Sequence, residues 1–233
     1  MKAYVINLAR RPDRMRLISE QLKILGINFT RIEAIDGASL PDDPDALIDR
    51  ASIGCWLSHR SVFIEASKDD VFGSVLVLED DAALSSSIEW PSFLEETEVN
   101  MVRSKIDILQ LGILELSQPT MSKKILLSCL LGFRWLYRYA TNELGIYNER
   151  EIKFGKERLV LNTFSAGSHC YLISRKAARC IIHLNDPAFL TMDRFLLELA
   201  GSRQIKVARL KRSLAGQLGR TLDSVSDTNI EGA

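Results

Sequence analysis

The sequence lacks the features that mark membrane-spanning, disulfide-rich and nucleic-acid-binding proteins. No window approaches the roughly 18 uncharged apolar residues of a membrane span, and the apolar run after Met1 is too short for a secretory signal. The four cysteines show no CxxC spacing, which argues against a zinc ribbon and a disulfide framework. Thirty basic and thirty acidic side chains cancel, so no global field would recruit nucleic acid. We therefore expect a cytoplasmic protein with reduced thiols and no nucleic-acid partner.

The most informative segment is VLVLEDDA at residues 75–82, where four apolar residues lead into Glu79, Asp80 and Asp81. A short apolar run of this kind favours a buried strand of an α/β sheet, and such sheets bind ligands at the carboxyl ends of their strands. Adjacent anions repel one another, so the triplet calls for a compensating cation, and hard oxygen ligands favour Mg²⁺ or Mn²⁺. The alternative is a solvated acidic turn that binds nothing.

The alternation of strand and helix patterns predicts an α/β fold with a mainly parallel central sheet. Strand, helix and strand patterns over 3–8, 12–25 and 27–35 form a βαβ unit, which requires parallel strands and a right-handed crossover. A second helical pattern over 52–68 precedes the acidic strand. A chain of 233 residues suits one elaborated domain better than two equal ones, so we expect a single domain over residues 1–233.

The segment 118–161 departs from the alternating pattern. It contains the apolar and aromatic run ILLSCLLGFRWLYRYA, around which lie the basic residues Lys123, Lys124, Arg134 and Arg138. One interpretation is a helical insertion that lies on an anionic membrane surface, at the inner membrane, or receives an acidic lipid-linked acceptor. The alternative is a buried helix with a basic outer face, because apolar stripes at helical spacing usually belong to a core.

Basic side chains follow directly on the first predicted strand. Asn7 and Leu8 are followed by Arg10, Arg11 and Arg14, so backbone amides and guanidinium groups would gather at the ligand-binding edge. Arginine suits phosphate because it forms charge-assisted and often bidentate hydrogen bonds. A nucleoside diphosphate would fit both this cluster and a metal-bridged acidic triplet. The alternative is an arginine-rich, solvated start of a helix.

Ser58 and His59 are adjacent on the second predicted helix, which must pack near the first strand. They either contribute to the same site or belong to the core, where a single histidine is usually found with its hydrogen bonds satisfied.

Taken in order, several segments resemble glycosyltransferase family 25, the lipooligosaccharide-type galactosyltransferases. The matching pieces are YVINLARRPDRM, FTRIEAIDG, GCWLSHRSVF, VLVLEDDA, GSHCYLISRKAA, TMDRFL, AGQLG and the following Ser224. The resemblance implies a nucleotide-sugar transferase of the GT-A type that inverts the sugar linkage and usually moves galactose from UDP-galactose to a bacterial surface glycolipid. It covers 118–161 poorly, so the acceptor is the least defined partner.

The resemblance also implies roles for single residues. Asp81 would be the direct metal ligand, while Glu79 and Asp80 would join it or reach the ribose. Donor-binding positions would be Asn7, Leu8, Arg10, Arg11, Arg14, Ser58, His59 and Gln217. Asp193 would be the general base, because inversion needs a carboxylate opposite the departing diphosphate. The alternative for Asp193 is a helix cap.

Two other functions fit parts of the pattern. A strand that ends in acidic residues also resembles a phosphoacceptor receiver domain, although there the acidic pair follows the first strand and here it lies about eighty residues into the chain. A transferase-like chain without catalysis, acting as a binding partner, is the other alternative, because Glu79 replaces the first Asp of a strict D-x-D motif.

Overall fold

The computed structural model describes residues 1–42, 46–68, 73–114, 150–182, 190–202 and 205–218. The strands in these ranges are β1 (Lys2–Asn7), β2 (Phe29–Glu33), β3 (Ser74–Glu79), β4 (Ala82–Leu84), β5 (Ile108–Gln110), β6 (Arg150–Phe154), β7 (Glu157–Leu161), β8 (Cys170–Ser174), β9 (Val207–Leu210) and β10 (Ala215–Gln217). The helices are α1 (Pro12–Ile24), α2 (Arg50–Ser67), α3 (Trp90–Ser104), α4 (Arg175–Ile182) and α5 (Met192–Ser202), and a short 3-10 helix covers Gly37–Ser39.

Eight strands form one mixed sheet in the order β2-β1-β3-β8-β5-β9-β7-β6, and β4 pairs with β10 in a separate ribbon. β1 is parallel to β2 and β3, and β5 is parallel to β9. The remaining neighbours in the large sheet are antiparallel. The α/β class and the first βαβ unit are therefore confirmed. The sheet as a whole is mixed, because β8 and the β6–β7 hairpin run against their neighbours.

Both faces of the large sheet are covered, which explains the unbroken apolar run in β3. Leu76 and Leu78 pack into the core on the side of α1 and α3. Val75 and Val77 pack into the core on the side of α2, α4 and α5. All four side chains are fully buried. A strand buried on both faces needs apolar residues at every position, so its sequence shows no polar alternation.

The last part of the segment 118–161 is a β-hairpin. Arg150–Phe154 pairs with Glu157–Leu161 in antiparallel register, and the turn contains Gly155 with φ +58°. Glycine adopts this left-handed conformation without the steric cost of a side chain. The predicted helical insertion therefore does not extend over 150–161, and its remainder, 118–149, lies outside the described residues. Among the described helices, none is long and apolar enough to cross a membrane.

Candidate active site

A cleft opens at the carboxyl ends of β1 and β3. These strands are parallel, and Ile6 lies opposite Glu79, so the residues that follow both strands meet at one edge of the sheet. Eight of the residues singled out from the sequence line this cleft: Leu8, Arg10, Arg14, Ser58, His59, Glu79, Asp80 and Asp81. The topology thus brings together basic and acidic segments that are some seventy residues apart in the chain.

Asn7 and Arg14 contact Asp80, the middle residue of the acidic triplet. The Nδ2 atom of Asn7 donates a hydrogen bond of 2.7 Å to Asp80 Oδ2, and the Oδ1 atom of Asn7 accepts one of 3.0 Å from Arg31 Nε. Arg14 Nη1 lies 3.4 Å from Asp80 Oδ1. Burial raises the pKa of Asp80, although the contacts with Asn7 and Arg14 oppose this rise. Arg31 carries no distinctive motif in the sequence, and only the pairing of β1 with β2 reveals its contact.

Asp81 is buried and only half satisfied by its neighbours. Its Oδ2 atom accepts hydrogen bonds from Gln217 Nε2 at 2.9 Å and from Arg14 Nη1 at 3.1 Å. Its Oδ1 atom and Gln217 Oε1 have no hydrogen-bond partner among the described residues. Burial, followed by the negative charge of Glu79, raises the pKa of Asp81 to about 7. Buried oxygens without partners call for an explanation, and two such oxygens on neighbouring side chains suit a hard divalent cation.

Glu79 is engaged with different partners from those of Asp81. Its Oε1 atom accepts a hydrogen bond of 2.7 Å from Ser168 Oγ and lies 3.2 Å from His59 Nε2. His59 Nδ1 lies 2.8 Å from the hydroxyl of Tyr171, which is fully buried. Burial alone would raise the pKa of Glu79, but the hydrogen bonds from His59 and Ser168 lower it overall. No sequence pattern selects Ser168 or Tyr171, because they lie 89 and 112 residues from their respective partners Glu79 and His59.

Ser58 fixes one wall of the cleft. Its hydroxyl donates to Gly54 O at 2.6 Å within α2 and accepts from Ile35 N at 2.8 Å, just after β2. The approach of these two segments is close, because a Cβ atom on Gly54 would lie 2.6 Å from Ile35 O. The helix begins after Asp49, whose side chain accepts from Ser52 N at 2.8 Å and so satisfies a free backbone amide. The buried Ser58 therefore ties α2 to the cleft.

The three arginines that follow β1 have different environments. Arg14 reaches into the acidic cluster, and its side chain is 20% exposed. Arg10 lines the cleft and pairs with Asp36, with 2.6 Å between Nε and Oδ2. Arg11 pairs with Asp13, with 2.8 Å between Nη2 and Oδ2, and is not among the residues that line the cleft. Arg10 and Arg14 therefore line the cleft, and Arg11 does not.

Asp193 lies in the first turn of α5, beside the cleft. Its Oδ1 atom accepts hydrogen bonds from Thr191 Oγ1 at 2.6 Å and Arg194 N at 2.8 Å, and its Oδ2 atom lies 3.5 Å from Gly167 N. Its negative charge contributes to the raised pKa of Cys55, after burial and the charge of Glu79. Asp193 is not among the residues that line the cleft, but Gly167 is adjacent to Ser168, which contacts the cleft residue Glu79. Because α5 begins at Met192, Asp193 is its second residue and does not precede it as expected for an N-cap, although it does accept from an amide of the first turn. Its role as a base stays a prediction.

Comparison of the sequence with models of protein families identifies the family of this chain. A sequence model described as "Glycosyltransferase family 25 (LPS biosynthesis protein)" matches residues 1–196. The chain belongs to glycosyltransferase family 25. The matched range contains every cleft residue described above, whereas Gln217 lies beyond it. Family membership favours the transferase interpretation and leaves the receiver-domain alternative without support.

Two curated proteins whose names describe glycosyltransferases are similar in sequence to parts of this family 25 chain. A protein of Acanthamoeba polyphaga mimivirus named "Putative glycosyltransferase" is 35% identical over 92 residues, which cover 35% of this chain and 28% of that protein. A Bos taurus protein named "Probable inactive glycosyltransferase 25 family member 3" is 27% identical over 128 residues, which cover 48% of this chain and 21% of that protein. The chain thus spans less than a third of the length of either curated relative.

Proposed function

We propose that this chain is a metal-dependent, inverting glycosyltransferase of the GT-A type that uses a nucleotide sugar. The observation that carries the proposal is that Asp81 Oδ1 and Gln217 Oε1, which belong to two hydrogen-bonded side chains, both lack a hydrogen-bond partner among the described residues. Asp81 lines a cleft that also contains Arg10 and Arg14. A cleft that offers acidic oxygens and guanidinium groups together suits a diphosphate bridged by a cation. UDP-galactose is the donor that the family resemblance favours.

Asp81 and Gln217 are the residues that would hold Mn²⁺ or Mg²⁺. A cation bound there would stabilise the negative charge that develops on the departing diphosphate. Asn7 and Arg14 keep the carboxylates of Asp80 and Asp81 in place through the hydrogen bonds described above. Because these contacts fix the carboxylates before a ligand arrives, little reorganisation is needed when it binds.

Arg10 and Arg14 would contact the phosphates from the cleft wall, and Leu8, Ser58 and His59 would line the donor pocket. In an inverting transfer, an acceptor hydroxyl oxygen bonds to the anomeric carbon as the bond from that carbon to the diphosphate breaks. The hydroxyl proton passes to a base, for which we propose the carboxylate of Asp193. General base catalysis of this kind contributes roughly 10²–10⁴-fold.

The acceptor that we propose is a bacterial surface glycolipid or glycan. The basic and apolar segment 118–161 is the part of the chain that we expect to contact it, or the anionic membrane that carries it. The hairpin β6–β7, which ends this segment, forms one edge of the large sheet, whereas the strand that precedes the segment, β5, lies inside the sheet between β8 and β9.

Isothermal titration calorimetry with UDP tests the proposal directly. We expect clear binding in Mn²⁺ and at least about tenfold weaker binding in chelator, because the acidic triplet would otherwise repel the phosphates. Asp81→Ala should lose the Mn²⁺-dependent part of the affinity, whereas Glu95→Ala, which removes an exposed carboxylate on α3, should behave as wild type. Equal affinity in Mn²⁺ and chelator would contradict the proposal.

An assay of UDP release on the same protein distinguishes an active transferase from an inactive binding protein. UDP release from UDP-galactose in the presence of an acceptor glycolipid indicates transfer. Metal-dependent UDP binding without release across a panel of donors and acceptors would instead support the alternative of a transferase-like protein that only binds.

A further inference from the structure

A second group of potential metal ligands lies in the cleft, apart from Asp81 and Gln217. One ligand atom each from Cys55, His59 and Glu79 lies within 4.8 Å of the other two. All three residues line the cleft, so the group can be reached by an ion from solvent. No role for Cys55 followed from the sequence, and the group is visible only when α2 and β3 are packed together.

The local structure explains why these atoms converge. Cys55 and His59 are four residues apart on α2, so their side chains project from the same face of the helix, one turn apart. Glu79 is the last residue of β3, and its Oε1 atom lies 3.2 Å from Nε2 of His59 on this helix. A helical pair at i and i+4 with a third ligand from another element is a common way of building a metal site.

The neighbours of these three side chains already orient them. The Tyr171 hydroxyl contacts His59 Nδ1 at 2.8 Å, which leaves Nε2 directed towards Glu79. Ser168 Oγ donates to Glu79 Oε1 at 2.7 Å. Metal-binding histidines usually make such a hydrogen bond through their second ring nitrogen, and ligating carboxylates are themselves hydrogen-bonded. These supporting contacts distinguish the group from a chance cluster of polar residues.

We propose that Cys55, His59 and Glu79 form a binding site for a thiophilic divalent cation of the Zn²⁺ class, separate from the hard-cation site at Asp81. Sulfur, imidazole and carboxylate ligands together suit Zn²⁺ better than Mg²⁺ or Mn²⁺. Three protein ligands leave a fourth coordination position open to water or to a ligand in the cleft. The site stands on this geometry alone and does not require the proposed function.

The proton balance of binding is simple. Cys55 would lose its thiol proton to solvent and bind as thiolate, so one proton is released for each cation bound. Binding through His59 Nε2 uses the neutral tautomer with its proton on Nδ1, from which the proton is donated to the Tyr171 hydroxyl. Because a hydroxyl both donates and accepts hydrogen bonds, Tyr171 can support His59 in either tautomer.

Cobalt spectroscopy tests the site with a readout that does not depend on activity. Co²⁺ added to the purified full-length protein should give a sulfur-to-metal charge-transfer band, and Zn²⁺ should displace it. Cys55→Ser should abolish the band. His59→Gln removes a ligand and should therefore weaken binding by about 100-fold or more, since even loss of a residue that only supports a ligand costs about 10–100-fold. The matched control is Cys180→Ser, which changes an exposed thiol on α4 and should leave the band unchanged.

Tyr171→Phe tests the supporting contact, because it removes only the hydroxyl from a buried ring. We expect the cobalt dissociation constant to rise by about tenfold with the band retained. Thermal melting of each variant without metal shows whether it is folded.

Three outcomes would overturn the proposal: a wild-type protein without the charge-transfer band, a band that persists in the folded Cys55→Ser variant, and unchanged cobalt affinity in the folded His59→Gln variant. Each of these outcomes can occur whether or not UDP binds with Mn²⁺. Failure of the proposed Cys55, His59 and Glu79 site is therefore distinguishable from failure of the proposed function.

Discussion

Replacing Asp81 with asparagine should stabilise the metal-free protein at alkaline pH. In the wild type, a buried carboxylate with a side chain only 11% exposed carries its charge close to Glu79 and Asp80. The asparagine side chain would keep a carbonyl oxygen as acceptor for Arg14 and Gln217 and would remove the charge. We therefore expect Asp81→Asn to remove an electrostatic cost while it preserves the size and shape of the side chain.

The magnitude follows from the pKa of Asp81. Its rise from 3.8 to about 7 spans about three pH units, which at about 1.4 kcal/mol per unit corresponds to about 4 kcal/mol. The folded state holds the proton more tightly than the unfolded state, so this stability is fully present below pH 3.8 and is lost as the pH rises through about 7. Between pH 5 and pH 8 the wild type should lose about 2–3 kcal/mol that the variant keeps.

Urea unfolding in chelator at several pH values measures this difference. The gain from Asp81→Asn should be small at pH 4, increase through neutral pH and level off by pH 8. The exposed Glu95→Gln serves as a control that also removes one negative charge and should show no such dependence. The reasoning is refuted if Asp81→Asn is less stable than wild type at pH 8, or if its gain is the same at every pH. Mn²⁺ should stabilise the wild type and not the variant.

Two further predictions concern the base and the segment 118–161. Asp193→Asn should lower turnover by about 10²-fold or more with little change in donor affinity, because a base acts mainly in the transition state; near wild-type turnover in steady-state assays would leave Asp193 only its capping contacts. Wild-type protein should co-sediment with anionic liposomes in a salt-sensitive way, with about 1 kcal/mol from each basic residue near the surface. The comparison is with a variant in which four basic residues are changed to serine: Lys123, Lys124, Arg134 and Arg138. If wild type and variant sediment equally with the liposomes, or if neither does at low salt, the segment belongs to the core or to a partner interface.

The sequence is most informative where the signal is local. The apolar run that ends in Glu79 predicts both a doubly buried strand and a ligand-binding edge, because four consecutive apolar residues exclude the alternation of a half-exposed strand. The first βαβ unit is also predictable, and Pro12 and Gly26 mark the two ends of its helix. Ser174 directly precedes α4 and caps it through its hydroxyl, which accepts from Ala177 N at 3.1 Å, and serine is a residue type that favours this position.

Other features depend on contacts that no local pattern reveals. β4 and β10 contain only three residues each, so they are too short to show a periodicity. The hairpin β6–β7 is not predicted, because it follows a long apolar run that suggests helices. Ser168 and Tyr171 meet Glu79 and His59 only because β8 is inserted antiparallel beside β3. The direction of an inserted strand is set by the whole fold, and short segments of sequence do not encode it.

The last described strands, β9 and β10, determine how far a shortened version of this domain must extend. The family match ends at residue 196, yet β9 lies between β5 and β7 inside the sheet, and the next segment brings Gln217 and Leu218 against Asp81. A protein shortened to the matched range would lose β9 and β10 and would expose unpaired edges on β5, β7 and β4, which promote aggregation. It would also lack the contacts of Gln217 and Leu218 with Asp81. Chimeras that exchange donor or acceptor specificity within the family should therefore transfer residues 205–218 together with the strands they complete.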